Sequence, residues 1–504
     1  MNILKTVPFV LAVLFIGHTS IAQQITGQII DNKTYEPVAF ATVQYDDNNG
    51  VVTNMEGYFT LSLEKIVSNK PLTISFMGYQ TQQMTIKEME LTKYIVKLKE
   101  AVNQLGTVYI NTKLPNVDSI MARVHRNLKK NYKVSNSKQT LFSRETTYFK
   151  AKKIDVDITK STGFKKSQLE ASNAEFAAMA NQIVNNPPTQ SFTDVLVELY
   201  RKDPAKNKMK VIQATKLIDR QHNVSLENIQ SRVAKIVLKH LDTSKTYKLK
   251  SGWFKIEDSL SFKGDKKTKD EAKEDKSFSG LKSSTLSLLN SFLFQEHSEL
   301  DFVTDTDIYD YKLQGVTTID DQLVYVIDFE PRRSKAKFKG QLFVNDADYA
   351  ILKSSYSFDK GKHGDKLNLR LLLGVKYIED VHDGTVIYKK TSDSESYYPY
   401  YINQKSGQYV YAHRPLKFIE NDDDSSNKIA FDLVAEGNVI EKLELMSLGN
   451  LTVDDQSFMN VIEPKKIDYI KLKQYDPFLW KDYNILEPLE ELKKFKVEDE
   501  INEQ

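Results

Sequence analysis

The chain has 504 residues, contains no cysteine, and carries 70 basic and 68 acidic side chains. The lack of cysteine excludes disulfide bonds and lipid attachment to cysteine, and the balanced charge gives no general attraction to nucleic acid or anionic membranes. Its 26 tyrosines and 25 phenylalanines favour β-sheet. Because a single core rarely serves a chain of this length, we expect two or three domains.

Residues 1–22 are typical of a cleaved signal peptide. Lys5 gives a charged start, residues 7–16 form an apolar run, and residues 20–22 form a small-residue cleavage site. The apolar run is too short to span a bilayer, and no later segment approaches the necessary length. We therefore expect an exported mature chain without a transmembrane segment, which is soluble or bound peripherally to a membrane.

Residues 23–99 predict a small β-sandwich. Seven short segments alternate between apolar and polar residues and are separated by residues that favour tight turns. These segments are residues 25–30, 39–45, 51–54, 58–63, 72–76, 80–86 and 94–98.

The order and spacing of five motifs in this region resemble the carboxypeptidase regulatory-like domain. The motifs are residues 27–31, 34–38, 41–43, 53–59 and 75–79. The chain departs from the family at Tyr35, where glycine is frequent, and at Asn54, where aspartate is frequent. The resemblance implies a transthyretin-like sandwich, an accessory module found at the front of Bacteroidota envelope proteins, including TonB-dependent receptors.

This resemblance does not imply carboxypeptidase activity. A zinc carboxypeptidase needs a His with a Glu three residues later, and none of the eight histidines has Glu at that position. We interpret the close His/Glu cluster at residues 296–299 as a solvated turn. The motifs of serine hydrolases, P-loop enzymes and dinucleotide-binding enzymes are also missing. We predict no metal, no cofactor and no catalytic residue, but a triad assembled in space leaves the question of an enzyme open.

Residues 100–114 are predicted to be a linker, and residues 115–295 a mixed region of helices and strands. The linker resembles the entry to a receptor plug, but residues 115–130 then predict an amphipathic helix. The remaining chain is also too short for a 22-stranded transport barrel. We further predict a strand at residues 140–148, helices at 167–184, 225–241 and 280–294, and a charged loop at 263–277.

Residues 296–460 predict a large antiparallel sheet, with residues 461–504 as a tail that packs on it. The strand-like segments are residues 323–329, 338–344, 350–358, 367–377, 385–390, 397–404, 408–413 and 429–440. Residues 339–352 resemble a hairpin of lipoprotein-carrier-like half-barrels, in which a curved sheet wraps a helix and holds an acyl chain. Together with residues 476–488, the region resembles uncharacterised Bacteroidota envelope proteins.

Six tyrosines near the end of this sheet are the candidate ligand-binding residues, because aromatic rings stack on the apolar faces of sugars and peptides. They are Tyr397, Tyr398, Tyr400, Tyr401, Tyr409 and Tyr411. The alternative is that paired strands bury some of these rings and expose others.

Two further patterns carry less information. Asp305, Asp307 and Asp310, or residues 422–424, could bind Ca²⁺, but neither group has the spacing of an EF-hand, and surface loops are the simpler interpretation. The tripeptides that contain Ser119 and Ser259 resemble a short O-glycosylation acceptor of the Bacteroidota, although Ser119 lies on a predicted helix.

The sequence therefore predicts a β-rich multidomain protein. Its N-terminal seven-stranded transthyretin-like sandwich is followed by an α+β domain with a large curved antiparallel sheet. We expect a non-catalytic binding or docking protein of the periplasm or outer membrane, whose sheet binds a partner protein or an apolar or glycan ligand. The alternatives are a peptide or glycan hydrolase with carboxylates on the C-terminal sheet, and an accessory subunit of a TonB-dependent transporter.

Overall fold

The computed structural model describes residues 24–46, 49–63, 66, 70–101, 115–134, 136–162, 165–203, 205–218, 245–251, 254–261, 277–294, 298, 300–319, 322–391, 395–421 and 427–497. The predicted signal peptide, the helix expected at 225–241, most of the predicted linker and nearly all of the charged loop lie outside these residues. Two compact units divide the chain. The first comprises Met1–Ser75, Thr81–Lys99 and Asp476–Glu487, and the second comprises Phe76–Gln80, Glu100–Tyr475 and Pro488–Gln504.

The first unit contains two small sheets, whose strand orders are β4-β1-β7 and β3-β2-β5-β6. Side chains of β1 alternate between exposed and buried positions, as expected for a strand with one face in a core. This part of the structure confirms the seven predicted strands. They are β1 (Gln24–Asp31), β2 (Thr42–Gln44), β3 (Gly50–Val52), β4 (Tyr58–Ser62), β5 (Leu72–Ser75), β6 (Gln82–Met84) and β7 (Ile95–Leu98).

A C-terminal segment, Asp476–Glu487, completes the first unit. The Asn484 side chain accepts a hydrogen bond from the backbone N–H of Ser62 at 2.8 Å and donates one to the Tyr45 hydroxyl at 2.9 Å. Trp480 of the same segment is only 1 % exposed. We expected residues 461–504 to pack on the large sheet, and the structure instead places Asp476–Glu487 among the strands of the N-terminal unit. Other parts of the tail pack with Phe192 and Leu217 of the large sheet, namely Leu472, Tyr475, Leu492, Phe495 and Val497.

The second unit is built on one large sheet, which has 14 strands among the described residues. The main path runs β13-β14-β15-β16-β18-β19-β20-β8-β9-β10-β21. Outside this path, β11 pairs with β19 and with β12, and β17 pairs with β18. Its pairs are antiparallel except for β10 with β21. The strands are β8 (Ser137–Ser161), β9 (Thr189–Arg201), β10 (Asn207–Ile218), β11 (Thr246–Ser251), β12 (Phe254–Ser261), β13 (Tyr309–Ile319), β14 (Gln322–Pro331), β15 (Phe338–Asn345), β16 (Ile351–Phe358), β17 (Lys366–Leu369), β18 (Val375–Lys390), β19 (Tyr397–Glu420), β20 (Lys428–Leu451) and β21 (Ile470–Lys471).

The described residues form three helices of 15 to 20 residues and five of four to six residues. Asn116 caps α2 by accepting a hydrogen bond from the backbone N–H of Asp118, and Ser277 caps α4 by accepting one from Gly280. No helix in the described parts of the chain is both long and apolar enough to cross a bilayer. The helices are α1 (Ile86–Leu91), α2 (Val117–Asn131), α3 (Lys166–Asn185), α4 (Phe278–Phe292), α5 (Asp301–Thr304), α6 (Arg370–Leu373), α7 (Asp455–Met459) and α8 (Glu490–Lys494), and 3₁₀ turns occur at Thr306–Ile308 and Pro477–Trp480.

Helices α2, α4 and α5 pack on one face of the large sheet, which we call the inner face. Its core includes Met121 of α2, Phe292 of α4 and Phe302 of α5, together with side chains from β13 to β16 and β18 to β20. The Phe302 ring stacks on Phe329 of β14 with centroids 4.3 Å apart. A second core joins α3 to the C-terminal half of β8 and the N-terminal end of β20. In this core the ring of Phe176 packs edge to face against that of Phe431. The structure confirms the predicted fold class of a multidomain, β-rich chain.

Candidate functional site

A line of polar side chains crosses the outer face of the large sheet, opposite the core that holds the helices. Residues that are paired directly in register point to the same face of a sheet. Along the sheet from β13 to β10, strand pairing aligns ten such positions. Sequence neighbours of several of them, including Leu342, Ile402 and Leu445, belong to the inner core. The ten are Lys312, Asp328, Gln341, Ser355, Thr385, Asn403, Glu444, Arg144, Asp194 and Thr215.

One end of this polar line is a buried charge network. The Arg144 guanidinium donates to both oxygens of Asp194, at 2.9 and 2.7 Å, and the two residues are 3 % and 4 % exposed. Burial alone lowers the pKa of Arg144, but the Asp194 carboxylate outweighs this effect and raises the pKa above its ordinary value. The guanidinium therefore stays charged and ties β8 to β9.

Glu444 lies beside this ion pair on β20 and accepts a hydrogen bond from the Tyr401 hydroxyl at 3.0 Å. Burial raises the pKa of Glu444, while the Arg144 charge and the Tyr401 hydrogen bond lower it in part. The network is thus enclosed and internally bonded. Its chemistry suits the stability of the sheet better than the binding of a ligand.

The other end of the polar line opens into a cleft of about 950 Å³ on β13 to β16. Asp328 lies in it with both carboxylate oxygens bonded: Gln314 donates to one at 2.5 Å, and Gln341 to the other at 2.8 Å. Gln314 reaches Asp328 because a bulge between Leu313 and Gly315 leaves it outside the regular pairing. The carboxylate fixes both amide groups, and each keeps its oxygen as an acceptor.

Exposed charges of both signs surround the bonded amides in the cleft. Lys339 lies 3.4 Å from Asp359, and Arg332 lies 3.8 Å from Asp310. Hydroxyl groups on β16 add further donors and acceptors. The lining residues are Asp310, Tyr311, Lys312, Gln314, Asp328, Phe329, Glu330, Lys339, Gly340, Gln341, Ser355, Tyr356 and Ser357. Such a mixture of amides, carboxylates, ammonium groups and hydroxyls suits a ligand with many hydroxyls better than a strongly charged one.

The six tyrosines predicted as a binding set lie apart from this cleft. Tyr409 is half-buried and the other five are buried. Tyr397 packs near Tyr132 of the inner core with ring centroids 6.2 Å apart, whereas Tyr401 belongs to the charge network. The Lys389 ammonium lies 3.9 Å from the Tyr400 ring centroid. The structure does not gather the six rings on one open surface, and a binding role for them stays a prediction.

The one buried histidine–carboxylate pair in the described residues has no catalytic geometry. His382 Nδ1 lies 2.8 Å from Glu379 Oε1, and its Nε2 lies 2.8 Å from the Gln404 amide. The hydrogen bond with His382 lowers the pKa of Glu379. Since both ring nitrogens already have partners, neither is available to activate a nucleophile.

The other sequence-level candidates do not assemble into a site either. Asp305 pairs with Lys335 at 2.8 Å, and Asp310 lies on the rim of the cleft. Ser119 is exposed on α2, while residues 422–424 and the side chain of Ser259 lie outside the described parts. Within the described parts, no group of three or more His, Asp or Glu side chains could hold a metal ion.

Residues 25–110 match the CarboxypepD_reg-like domain family. This match supports the carboxypeptidase regulatory-like domain that the sequence motifs predict. A search of curated proteins finds no match to this chain.

Several solved structures resemble the chain at low scores. A putative outer membrane lipoprotein-sorting protein domain from Vibrio parahaemolyticus is 8 % identical over 67 % of this chain and 94 % of its own, with a TM-score of 0.18. A LolA superfamily protein from Nitrosomonas europaea is 10 % identical over 68 % and 98 %, with a TM-score of 0.17. A putative membrane-associated protein of unknown function from Bacteroides fragilis is 9 % identical over 84 % and 98 %, with a TM-score of 0.12. Scores this low do not establish a shared fold.

Proposed function

We propose that this protein is a non-catalytic binding protein of the cell envelope, and that the outer-face cleft on β13 to β16 holds a glycan. The observation that carries the proposal is the Asp328 carboxylate, which orients the amides of Gln314 and Gln341 toward an open polar cleft. Planar amides and carboxylates that are held in fixed positions match the donor and acceptor pattern of sugar hydroxyls. The envelope location is supported by the predicted signal peptide and by the CarboxypepD_reg-like match.

Among the ligands that the sequence leaves open, the structure favours a glycan over an acyl chain. The inner face, where a half-barrel would hold an acyl chain, is packed with the protein's own side chains from α2, α4 and α5. The outer cleft is polar and open. A glycan can exchange its hydration for hydrogen bonds with this lining, whereas an acyl chain would leave the lining unpaired.

A binding role also fits the cleft better than hydrolysis. A glycosidase needs two carboxyl groups that act as acid and as base or nucleophile. The cleft contains three carboxylates, Asp310, Asp328 and Glu330. Asp328 accepts an amide hydrogen bond on each oxygen and Asp310 lies 3.8 Å from Arg332, so the geometry of these two is that of orienting or charge-paired groups.

The test is calorimetric titration of the full mature chain with oligosaccharides released from bacterial envelope polysaccharides. Gln341→Ala should weaken binding about tenfold, since it removes one oriented amide worth roughly 1.5 kcal/mol. Gln456→Ala, which changes an exposed glutamine on α7, is the matched control and should bind as the wild type does. Equal binding by the wild type and Gln341→Ala would refute the cleft as the site. Release of shorter sugars during the titration would favour the hydrolase, and co-purification with an outer-membrane transporter would favour the accessory subunit.

A further inference from the structure

Four leucines are exposed within seven residues at the tip of the β17–β18 hairpin. We call residues 367–373 the leucine tip. Leu371 and Leu372 are 101 % and 82 % exposed, and Leu367 and Leu373 are 46 % and 39 % exposed. Single exposed leucines are common on soluble proteins, but a contiguous group of this kind marks an interaction surface.

The local backbone holds these leucines outward. Arg370–Leu373 forms one helical turn, and the turn ends at Gly374, whose φ of 63° is in the left-handed region. The Arg414 side chain donates to the backbone carbonyl of Leu373 and fastens the turn to β19. The leucines thus project from a convex turn and do not line a groove. A convex apolar tip fits a deformable apolar medium better than the rigid surface of a folded partner.

Cations surround the leucine tip. Residues 366–378 and 408–418, which form the tip and the neighbouring part of β19, contain no acidic residue. They contain five cations: Lys366, Arg370, Lys376, Arg414 and Lys417. The nearest acidic groups are Asp365, which precedes Lys366, and Asp432 and Glu436 on β20, so three acidic side chains face these five cations and the surface keeps an excess of positive charge. The charge around the tip is therefore complementary to an anionic surface.

Two tyrosines complete this surface behind the leucines. The Arg370 guanidinium lies 4.4 Å from the Tyr411 ring centroid, and the Lys376 ammonium lies 5.1 Å from that of Tyr409. Tyrosine and basic side chains are typical of the boundary between lipid headgroups and hydrocarbon.

We propose that the leucine tip inserts into the surface of an anionic lipid bilayer. Leu371 and Leu372 enter the boundary between headgroups and acyl chains, while the surrounding cations bind lipid phosphates. The tip anchors the protein peripherally. This inference does not depend on the glycan cleft, which lies on different strands of the sheet.

The test is flotation of the full mature chain with vesicles of phosphatidylglycerol and phosphatidylcholine, and with vesicles of phosphatidylcholine alone. The wild type should float with the anionic vesicles, and 0.5 M salt should release much of it because salt screens the headgroup contacts. Leu371→Ser with Leu372→Ser should reduce the partition coefficient at least about tenfold, since two leucines lose their burial in lipid. The matched control, Leu451→Ser with Ile462→Ser, changes two other exposed residues, 62 % and 86 % exposed, and should float as the wild type does.

Two results would overturn the proposal. One is that the wild type does not float with the anionic vesicles, or that the tip variant floats as well as the wild type. The other is a concentration-dependent dimer in light scattering that the tip substitutions abolish, which would assign the tip to a second copy of the chain. Circular dichroism should show that the tip variants fold normally, because both leucines are exposed. Glycan binding by these variants should be unaffected, which separates this test from that of the cleft.

Discussion

Replacing Asp194 with Asn tests whether the buried ion pair stabilises the large sheet. The change removes the negative charge beside Arg144 and turns one of its two acceptors, bonded at 2.9 and 2.7 Å, into a donor. Loss of one partner from a buried pair costs about 3–5 kcal/mol, because the other charge stays buried. Glu444, which is paired in register with Arg144, offsets part of this loss. We therefore expect Asp194→Asn to lower the free energy of unfolding by about 3 kcal/mol.

Urea unfolding followed by far-UV circular dichroism measures this loss. The two units can unfold in separate transitions, so the change should appear in the transition that carries most of the β-sheet signal. In a Trp253→Phe background Trp480 is the remaining tryptophan, and its fluorescence follows the first unit. Replacing Arg144 with Met, Asp194 with Leu and Glu444 with Gln together should cost much less than Asp194→Asn alone, since no buried charge is then left unpaired. A loss below about 1 kcal/mol for Asp194→Asn would refute the reasoning.

Three further predictions concern other parts of the fold. Because burial raises the pKa of Glu444 above its ordinary 4.5, stability should fall as pH rises through the folded-state pKa, and Glu444→Gln should lack this fall in urea titrations. Asn484→Ala should destabilise the first unit by about 1–3 kcal/mol, seen by Trp480 fluorescence, because the buried N–H of Ser62 loses its acceptor. Gly384→Ala should lower the melting temperature, since the new Cβ overlaps the Tyr356 ring, at a cost of about 1–3 kcal/mol.

Each of these predictions has a result that would contradict it. Parallel pH profiles of the wild type and Glu444→Gln would show that this carboxyl does not titrate differently in the folded state. For Asn484→Ala, an unchanged Trp480 transition would mean that the C-terminal segment does not stabilise the first unit. Unaltered melting of Gly384→Ala would mean that the Tyr356 ring has room to move.

Local patterns in the sequence predict the first unit well, because each strand there is short and ends at a turn residue. They also predict α2, whose apolar positions are buried against the sheet. Helix α1 was missed, although Thr85 and Glu88 form a capping box that signals its start. Two predicted strands, at residues 397–404 and 408–413, are in fact the single strand β19. Residues 405–407 look like a turn in sequence, but β18 and β20 pair with them on both sides and keep them extended.

The candidate cleft could not be predicted from the sequence, because register decides which residues meet. Alternation along β14 and β15 indicates that Asp328 and Gln341 face outward, but it does not show that they are neighbours. The charge network depends on pairs still more distant in sequence, such as Arg144 with Glu444. If the pairing shifted by a single residue, the carboxylate of Asp328 or of Glu444 would turn toward the core. Aromatic content directed attention to the tyrosines, whereas the open cleft is lined mainly by residues that are common on any surface.

The position of Asp476–Glu487 within the first unit determines when that unit can be finished. Its strands are synthesised first, but the segment that supplies Trp480 and Asn484 follows residues 100–475, which belong to the second unit. A growing chain therefore carries an incomplete N-terminal unit until almost the whole protein has been made. Only a chain that reaches Glu487 contains the whole first unit, so completion of that unit reports that synthesis has passed the large Glu100–Tyr475 part of the second. Chains that stop earlier keep the incomplete unit open to proteases and chaperones.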